Sequence, residues 1–493
     1  MAVLKKISLN PAKCAVDLSD GSERGLYVDQ DYILRKLGRP HRAVNIMYCY
    51  YPNDKTWPKR AQDAYKDMDV SFAWDYPYDN YFPYLGGLNG STKGEPFTCM
   101  RDIRRHGQDV ILTLTCDPKV DEKHMIAIAK DLRPFGRMML RLNHECTGSW
   151  FSFNKRATYQ EIADFYVKFH KVIRKYAPNV SMILCAGAVD NPKDEKAEKE
   201  DEFFQAIKDT EIWSIDKYIA LNWGWPYEVA EKDNKQHMLN KTAATYNTAK
   251  RTFERFKKIC GCTKPMVMSE LNADGDVTGP YDQVKIMKNF AKLVKNDPEQ
   301  WFSAFCFYQF RDDGRLGLEI TDPNNPQVGV EQPMMAAYKD IIDDDFFKPG
   351  IVSEGRIGEV SADENGDVHG AAGFEQTLRW GGAEDAEGVE IELAFEGNPV
   401  FAEANFKDGL KDANLMLELN GRWFYKAPGA TFVDFMPAFY GKDIPAGSTL
   451  KLRIFAPPAD GVNDPSQGEN WLENYYYTLK SLPDIRLRFE PVI

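Results

Sequence analysis

Two glutamates stand at the ends of short apolar runs in distant parts of the chain. Glu145 comes three residues after the run Met138–Leu142, and Glu270 directly follows the run 266–269. A carboxylic acid that keeps its proton and a carboxylate that has lost it can together cleave a glycosidic bond, the first as acid/base and the second as nucleophile. Either glutamate alone could be a solvated charge or one half of an ion pair. Together they predict Glu145 as the acid/base and Glu270 as the nucleophile.

Both runs look like buried parallel strands within a longer alternation of strand-like and helical segments. Between residues 44 and 342, apolar runs alternate with amphipathic segments, which is typical of an α/β fold with a (β/α)₈ TIM barrel. Thr158 and Glu161 form a capping box at the start of the clearest helix. The main alternative is a doubly wound open sheet, but no glycine-rich phosphate loop follows the first run. The eight candidate strands are residues 44–49, 70–74, 110–115, 138–142, 181–186, 218–221, 266–269 and 303–308.

The carboxyl ends of barrel strands are where active sites form. In this chain those positions are rich in aromatic and carboxylate side chains. Sugar rings present apolar faces that stack on aromatic side chains and hydroxyls that bind acids and amides, so this lining suits a saccharide groove. Some of the aromatic residues could instead cap the barrel core. The candidate substrate-binding residues are Arg141, His144, Trp150, Trp74, Asp75, Tyr76, Asn222, Trp223, Trp225 and Tyr308.

The helical pattern stops near Pro349, and the chain continues in short alternating runs separated by turns. This change predicts a C-terminal all-β sandwich. We therefore divide the chain into an N-terminal extension (1–40), a catalytic barrel (41–348) and an accessory β-sandwich (349–493). Aromatic residues such as Trp471 could let the sandwich bind carbohydrate. The alternative is that the sandwich only braces the barrel.

The composition excludes some partners. A formal net charge of -12 argues against nucleic acid or an acidic membrane surface as a partner. No apolar run approaches the roughly 20 residues of a membrane helix. Residues 1–10 contain no apolar signal-peptide core, so we expect a protein that is extracellular or periplasmic with its signal removed, or else cytoplasmic. The nine cysteines, all at or before Cys306, indicate buried free thiols rather than a metal site. We predict no cofactor and no metal, and the oligomeric state is left open.

The residues around the first glutamate match a known motif. The segment Arg141-x-x-His144-Glu145-x-x-Gly148-x-Trp150 resembles the acid/base motif of glycoside hydrolase family 26, the β-mannanases and their relatives. The resemblance implies membership of the large clan of retaining (β/α)₈ glycosidases. In that clan the acid/base follows strand four and the nucleophile follows strand seven, which are the positions of the two glutamates in the predicted strand order.

Two departures from the family pattern concern the identity of the glycan. Cys146 and Thr147 stand where the mannanases usually have Met and Asn, and Leu271 and Asn272 stand where they usually have an aromatic residue and Gly. We predict an endo-β-glycanase that acts on a polysaccharide or oligosaccharide such as mannan, with β-1,3-xylan, β-glucan and algal galactan as alternatives. A catalytically inactive carbohydrate-binding barrel is another alternative. Metal-dependent hydrolysis would need a histidine motif such as H-E-x-x-H, which the sequence lacks.

The expected chemistry sets requirements for the neighbours of both glutamates. Glu145 must keep its proton, which the negative charge of the nucleophile and burial under Trp150 would favour by raising its pKa. Glu270 must stay ionised and needs hydrogen-bond donors, and we expect Arg141 to pair with it. His144 is expected to contact the sugar because it lies beside the acid/base in the sequence.

Overall fold

A computed structural model of the protein describes residues 1–21, 27–54, 56–57, 82–221, 234–275, 278–312, 316–363, 366–370, 373–407, 409–468 and 470–489. The strands up to residue 331 are β1 (Ala2–Asn10), β2 (Ala15–Gly21), β3 (Ala43–Tyr50), β4 (Phe82–Pro83), β5 (Asp109–Cys116), β6 (Met138–Leu142), β7 (Val180–Cys185), β8 (Ile212–Ile219), β9 (Met266–Ala273), β10 (Phe302–Phe307), β11 (Glu319–Asp322) and β12 (Asn325–Glu331). The helices are α1 (Gln30–Leu37), α2 (Phe97–Arg105), α3 (Glu122–Leu132), α4 (Tyr159–Tyr176), α5 (Glu200–Asp209), α6 (Asn234–Cys260), α7 (Pro280–Asn296) and α8 (Met334–Ile342).

Eight parallel strands close into a barrel. They follow one another in the order β2, β3, β5, β6, β7, β8, β9 and β10, and β10 pairs back onto β2. Every residue of β3, β6 and β9 is buried, as expected for strands that face the barrel interior on one side and a layer of helices on the other. The closing pair of strands excludes the open sheet, and the predicted TIM barrel is confirmed.

The first strand of the barrel differs from the predicted one. Ala15–Gly21, which the sequence analysis assigned to an N-terminal extension, is strand one of the barrel. Its acidic residues give it the look of a surface segment, but Asp17 is 2% exposed because the Arg42 guanidinium binds it. The run 70–74, predicted as the second strand, lies outside the described residues. One strand was missed and one predicted strand lies outside the described residues, so β6 and β9 keep positions four and seven in the barrel.

The other predicted strands match observed ones, with errors of extent in β8 and β9. The run 218–221 was predicted to begin a strand, whereas β8 begins six residues earlier, at Ile212. Asp216 and Lys217 interrupt its apolar pattern, and for that reason the beginning of the strand was not recognised. The predicted capping box is confirmed at the start of α4, where Thr158 accepts from the backbone of Glu161 and the Glu161 carboxylate accepts from Thr158.

The C-terminal part of the chain forms antiparallel sheets. Its strands are β13 (Gly350–Val360), β14 (Gln376–Gly382), β15 (Asp385–Phe395), β16 (Pro399–Asn405), β17 (Leu415–Leu419), β18 (Arg422–Lys426), β19 (Phe432–Asp434), β20 (Ser448–Phe455), β21 (Tyr475–Leu479) and β22 (Asp484–Phe489). One sheet has the order β13-β1-β15-β20-β17-β18, with β14 and β21 continuing from β15, and a second has the order β19-β16-β22. Side chains from both sheets share one hydrophobic cluster. Strand β1 comes from the predicted N-terminal extension and lies between two strands of the first sheet.

The larger C-terminal sheet packs against the end of the barrel where the strands begin. Leu34 of α1 shares a hydrophobic cluster with Trp380, Met416 and Trp423, and the Trp423 backbone N–H donates to the carbonyl of residue 38 at 2.7 Å. We call this contact region the lower end of the barrel. The opposite end, where the strands finish, is called the upper end. Within the described part of the chain, no helix has the length and apolar character needed to cross a membrane.

Candidate active site

Glu145 lies at the upper end, in the loop that follows β6. Its backbone adopts φ 49°, and Asn143 two residues earlier adopts φ 47°, a left-handed conformation that non-glycine residues rarely take. The Asn143 carboxamide accepts from the Cys116 N–H at 2.6 Å and donates to the Cys116 carbonyl at 3.1 Å. On the other side of Glu145, the Cys146 N–H donates to the Cys185 carbonyl at 3.2 Å. Glu145 therefore lies in a backbone turn that is hydrogen-bonded to β5 on one side and to β7 on the other.

Glu270 lies within β9 rather than after it, which corrects the predicted strand end. The residue is 5% exposed, and both carboxylate oxygens accept hydrogen bonds. Arg141 Nη2 donates to Oε1 at 2.5 Å, and the Tyr218 hydroxyl donates to Oε2 at 2.6 Å. The predicted pairing of Arg141 with Glu270 is confirmed. Two donors on one buried carboxylate stabilise its ionised form, which a nucleophile requires.

A third carboxylate, Asp216 of β8, completes the site. Single carboxylate oxygens of Glu145, Asp216 and Glu270 lie within 4.8 Å of one another. Arg141 Nη1 donates to Asp216 Oδ2 at 2.8 Å, and the Ser269 hydroxyl donates to Asp216 Oδ1 at 2.7 Å. Three acids of this kind could hold a metal ion, but the fully buried Arg141 guanidinium already binds two of them. The protein thus supplies its own cation at the centre of the cluster.

The surroundings separate the two glutamates in their ionisation. Burial, followed by the charges of Asp216 and Glu270, raises the pKa of Glu145 well above its ordinary value. Burial also raises the pKa of Glu270, to about 6, and the charge of Arg141 and the Tyr218 hydroxyl oppose this rise. Glu270 thus has two donors, one of them charged, that favour its ionised form, whereas burial and the neighbouring negative charges favour the protonated form of Glu145. This is the division of labour that an acid and a nucleophile need.

Trp150 acts on Glu145 in the direction opposite to the prediction. Its indole N–H donates to Glu145 Oε2 at 2.9 Å, and this bond favours the charged form of the carboxyl group and lowers its pKa. The ring is 42% exposed, so it stands at the mouth of the site rather than over a closed pocket. Gly148 makes this position possible, since a Cβ there would meet the indole at 2.6 Å.

His144 lies deeper than expected for a residue that touches substrate. It is 2% exposed, and its Nε2 is 3.8 Å from Glu270 Oε1. Its ring packs on Phe151 with 4.5 Å between the centroids. Burial, reinforced by the charge of Arg141, lowers the pKa of His144 well below its ordinary value, so the ring is neutral near pH 7. Contact of His144 with the sugar stays a prediction.

The aromatic lining is described only in part. Tyr308 meets Tyr218 edge to face with 5.8 Å between ring centroids, which places the predicted residue beside a hydroxyl donor of Glu270. Six predicted substrate-binding residues lie outside the described residues, and their place in the site stays a prediction. They are Trp74, Asp75, Tyr76, Asn222, Trp223 and Trp225.

Two residues of the site, Asp216 and Tyr218, were not predicted from the sequence. Both lie in β8 at positions i and i+2, and residues with this spacing in a strand point to the same face. The predicted run began at Tyr218, so neither residue was recognised as interior to a strand. The sequence pattern that could have revealed them is an acidic residue followed two positions later by a tyrosine, close to the end of a strand.

Comparisons with known proteins find similarity among solved structures. No family model and no curated protein matches the chain. A family 51 α-L-arabinofuranosidase from Bifidobacterium longum has a TM-score of 0.45 and 10% identity, covering 92% of this chain and 97% of that one. The catalytic domain of a family 26 endo-β-1,4-mannanase from Bacillus sp. JAMB-750 has a TM-score of 0.40 and 12% identity, covering 68% and 87%. A monomeric β-xylosidase from Caulobacter crescentus CB15 has a TM-score of 0.42 and 12% identity, covering 92% and 98%.

Proposed function

We propose that this protein is a retaining glycoside hydrolase that cleaves β-glycosidic bonds of a polysaccharide such as mannan. One observation carries the proposal: carboxyl oxygens of Glu145 and Glu270 lie within 4.8 Å, and the surroundings favour the protonated form of Glu145 while Arg141 and Tyr218 favour the ionised form of Glu270. Retaining enzymes hold their two carboxyl groups about 5–5.5 Å apart, whereas inverting enzymes leave about 6.5–9.5 Å for a water molecule. The spacing here favours direct attack by a carboxylate.

In the first step, Glu270 attacks the anomeric carbon while Glu145 gives its proton to the leaving oxygen. The nucleophile then becomes an ester and loses its charge. Because the charge of Glu270 is one cause of the raised pKa of Glu145, that pKa falls in the intermediate. Glu145 is then an ionised base that takes a proton from water, and the water displaces Glu270 from the sugar. The coupling between the two carboxyl groups thus drives the change of role that double displacement needs.

The separation of the two ionisation states favours turnover over the alternative of an inactive binding barrel. Two carboxyl groups within 4.8 Å of each other cost stability when both are ionised, and a site that only binds sugar does not need the pair. Tyr218, Tyr308 and Trp150 supply aromatic surface for a pyranose ring, and the choice among mannan, β-1,3-xylan, β-glucan and galactan is left to experiment. For the C-terminal sheets, we propose a β-sandwich that braces the barrel.

A reducing-sugar assay on these four polysaccharides, with wild type and Glu270→Ala side by side, tests the proposal. We expect activity on at least one glycan, its loss in Glu270→Ala by about 10⁴-fold or more, and recovery with added azide that yields a product of inverted configuration. Glu200→Gln is the matched control, since Glu200 is also buried and receives the Nε–H of an arginine, Arg255, at 2.8 Å, but on the outer helical layer. Full turnover in Glu270→Ala would remove Glu270 from the mechanism.

A further inference from the structure

Below the carboxylates, buried polar side chains connect one barrel strand to the next. Asn45 Nδ2 on β3 donates to the Ser19 hydroxyl on β2 at 3.2 Å, and the Thr113 hydroxyl on β5 donates to Asn45 Oδ1 at 2.7 Å. Arg141 Nε on β6 donates to the Thr113 hydroxyl at 2.8 Å. None of these four side chains is more than 1% exposed. We call Ser19, Asn45, Thr113 and Arg141 the polar chain.

The hydrogen bonds of the polar chain all run in one direction. Asn45 Oδ1 can only accept, so the Thr113 hydroxyl must give its proton to Asn45. Its oxygen is then left with lone pairs for Arg141 Nε–H, which can only donate. Asn45 therefore fixes the orientation of the Thr113 hydroxyl, and that orientation suits the guanidinium.

The guanidinium is held on three edges by three different strands. Its Nε donates to Thr113 on β5, Nη1 to Asp216 on β8, and Nη2 to Glu270 on β9. A planar group fixed at three points cannot rotate without losing a bond. If the Nε bond to Thr113 is lost, the guanidinium plane can rotate toward either carboxylate. Nη2 is then no longer held in one position relative to Glu270.

We propose that Thr113 and Asn45, uncharged residues on strands that carry none of the three carboxylates, are positioning residues that orient Arg141 toward Glu270. This inference rests on the proposed function, because it assigns Glu270 the role of nucleophile. Neither residue touches the reacting atoms. They act through Arg141, which stabilises the charge that Glu270 must carry to attack the sugar.

Thr113→Val tests the proposal, because valine keeps the shape of threonine and removes the hydroxyl. We expect kcat to fall on the order of tenfold with little change in KM, since a small displacement at the reacting centre mainly affects the chemical step. The acidic limb of the pH profile of kcat/KM should move to higher pH, because a poorly oriented Arg141 stabilises ionised Glu270 less. Asn45→Leu should act in the same direction with a smaller effect.

Two further variants separate positioning from packing. Thr113→Ser keeps the hydroxyl and should restore the wild-type pH profile. Thr115→Val is the matched control, since Thr115 lies two residues along the same strand, is fully buried, and bonds only the Tyr48 carbonyl at 3.5 Å in the described structure. A pH profile in Thr113→Val that equals that of Thr115→Val, or a Thr113→Ser variant as impaired as Thr113→Val, would overturn the proposal.

A second readout does not depend on glycosidase activity. Thermal unfolding is measured from pH 5 to pH 8 for wild type, Thr113→Val, Glu270→Gln and the double variant. The stability deficit of Thr113→Val should grow as pH rises, because Arg141 stabilises the ionised form of Glu270 less well in the variant. This pH dependence should vanish when Glu270 is replaced. If wild type cleaves no glycan, the proposed function fails while this cycle still tests the polar chain. A deficit with the same pH dependence in both backgrounds would show that Thr113 does not act on Glu270.

Discussion

The two ends of the barrel both bury charged side chains, but they balance them differently. At the upper end, Asp216 and Glu270 share one guanidinium, and among the described residues no Lys, Arg or His forms an ion pair with Glu145. At the lower end, Arg42 binds Asp17 through Nε at 2.9 Å and through a second nitrogen. At the upper end, the charges of Asp216 and Glu270 add to burial in raising the pKa of Glu145, which favours its protonated form. The proposed function places the chemistry at the upper end, where this imbalance lies.

Among the variants that test this comparison, the largest effect is expected from removing Glu145 at the upper end. Glu145→Ala should lower kcat on natural glycosides by about 10²–10⁴-fold, the range that general acid catalysis contributes. Aryl glycosides with good leaving groups need little protonation and should be affected far less in the first step. Steady-state kinetics on both substrate types measure the difference. An equal loss on both would mean that Glu145 has another role.

Removing an aromatic anchor at the lower end should affect stability and leave the chemistry unchanged. Trp380 is 2% exposed and packs between Phe455 and Gly107, where a Cβ would already approach the ring at 3.0 Å. Trp380→Ala should lower the free energy of unfolding by about 3–5 kcal/mol, as other large-to-small core substitutions do. Denaturant titration gives the stability, and kcat/KM is measured where the variant is folded. A large fall in kcat/KM of the folded variant would contradict the separation of the two ends.

Replacing Arg141, which binds both Asp216 and Glu270, with another cation should reduce catalysis although the positive charge is kept. Arg141→Lys keeps a positive charge but cannot bind Asp216, Glu270 and Thr113 at once, because an ammonium group has no planar fork. We expect kcat to fall on the order of 10²-fold. The pH profile provides the check, since the acidic limb near the pKa of Glu270, about 6, should also shift upward. An unchanged profile would mean that charge alone, and not orientation, supports the nucleophile.

The smallest expected effect is a gain of stability from neutralising the acid. The pKa of Glu145 is higher in the folded protein than in the unfolded chain. As pH rises above about 4.5, the unfolded chain releases this proton first, so the folded state loses stability until pH reaches the folded pKa. Glu145→Gln removes this loss, by about 1.4 kcal/mol for each unit of pKa difference. At pH 4 the free energies of unfolding of the variant and of wild type should be nearly equal. At pH 8 the variant should have the larger free energy of unfolding.

Sequence patterns revealed those parts of the fold that short segments determine. The runs that became β6 and β9 are largely apolar, and they led to Glu145, Glu270 and the pairing with Arg141. Strand β2 was missed because Asp17 looks solvated until Arg42, from a different segment, is placed beside it. Asp216 was missed for a similar reason, and the β8–β9 pairing also shifts register beside it. Partners that are distant in sequence decide these cases, and no local pattern contains them.

Strand β1 has a consequence for the order in which the protein is made. It emerges from the ribosome before the barrel, yet its partners β13 and β15 follow some 350 residues later, as the pairs Ala2 with Val360 and Leu4 with Ile391 show. At a synthesis rate of about 5–20 residues per second, β1 remains without these partners for roughly 20–70 s. Lys5 and Lys6 at its centre discourage pairing with other chains during that time. In the folded sheet the same lysines form ion pairs with Glu392 and Glu387 of β15. The charges that protect the nascent strand therefore also favour its final register.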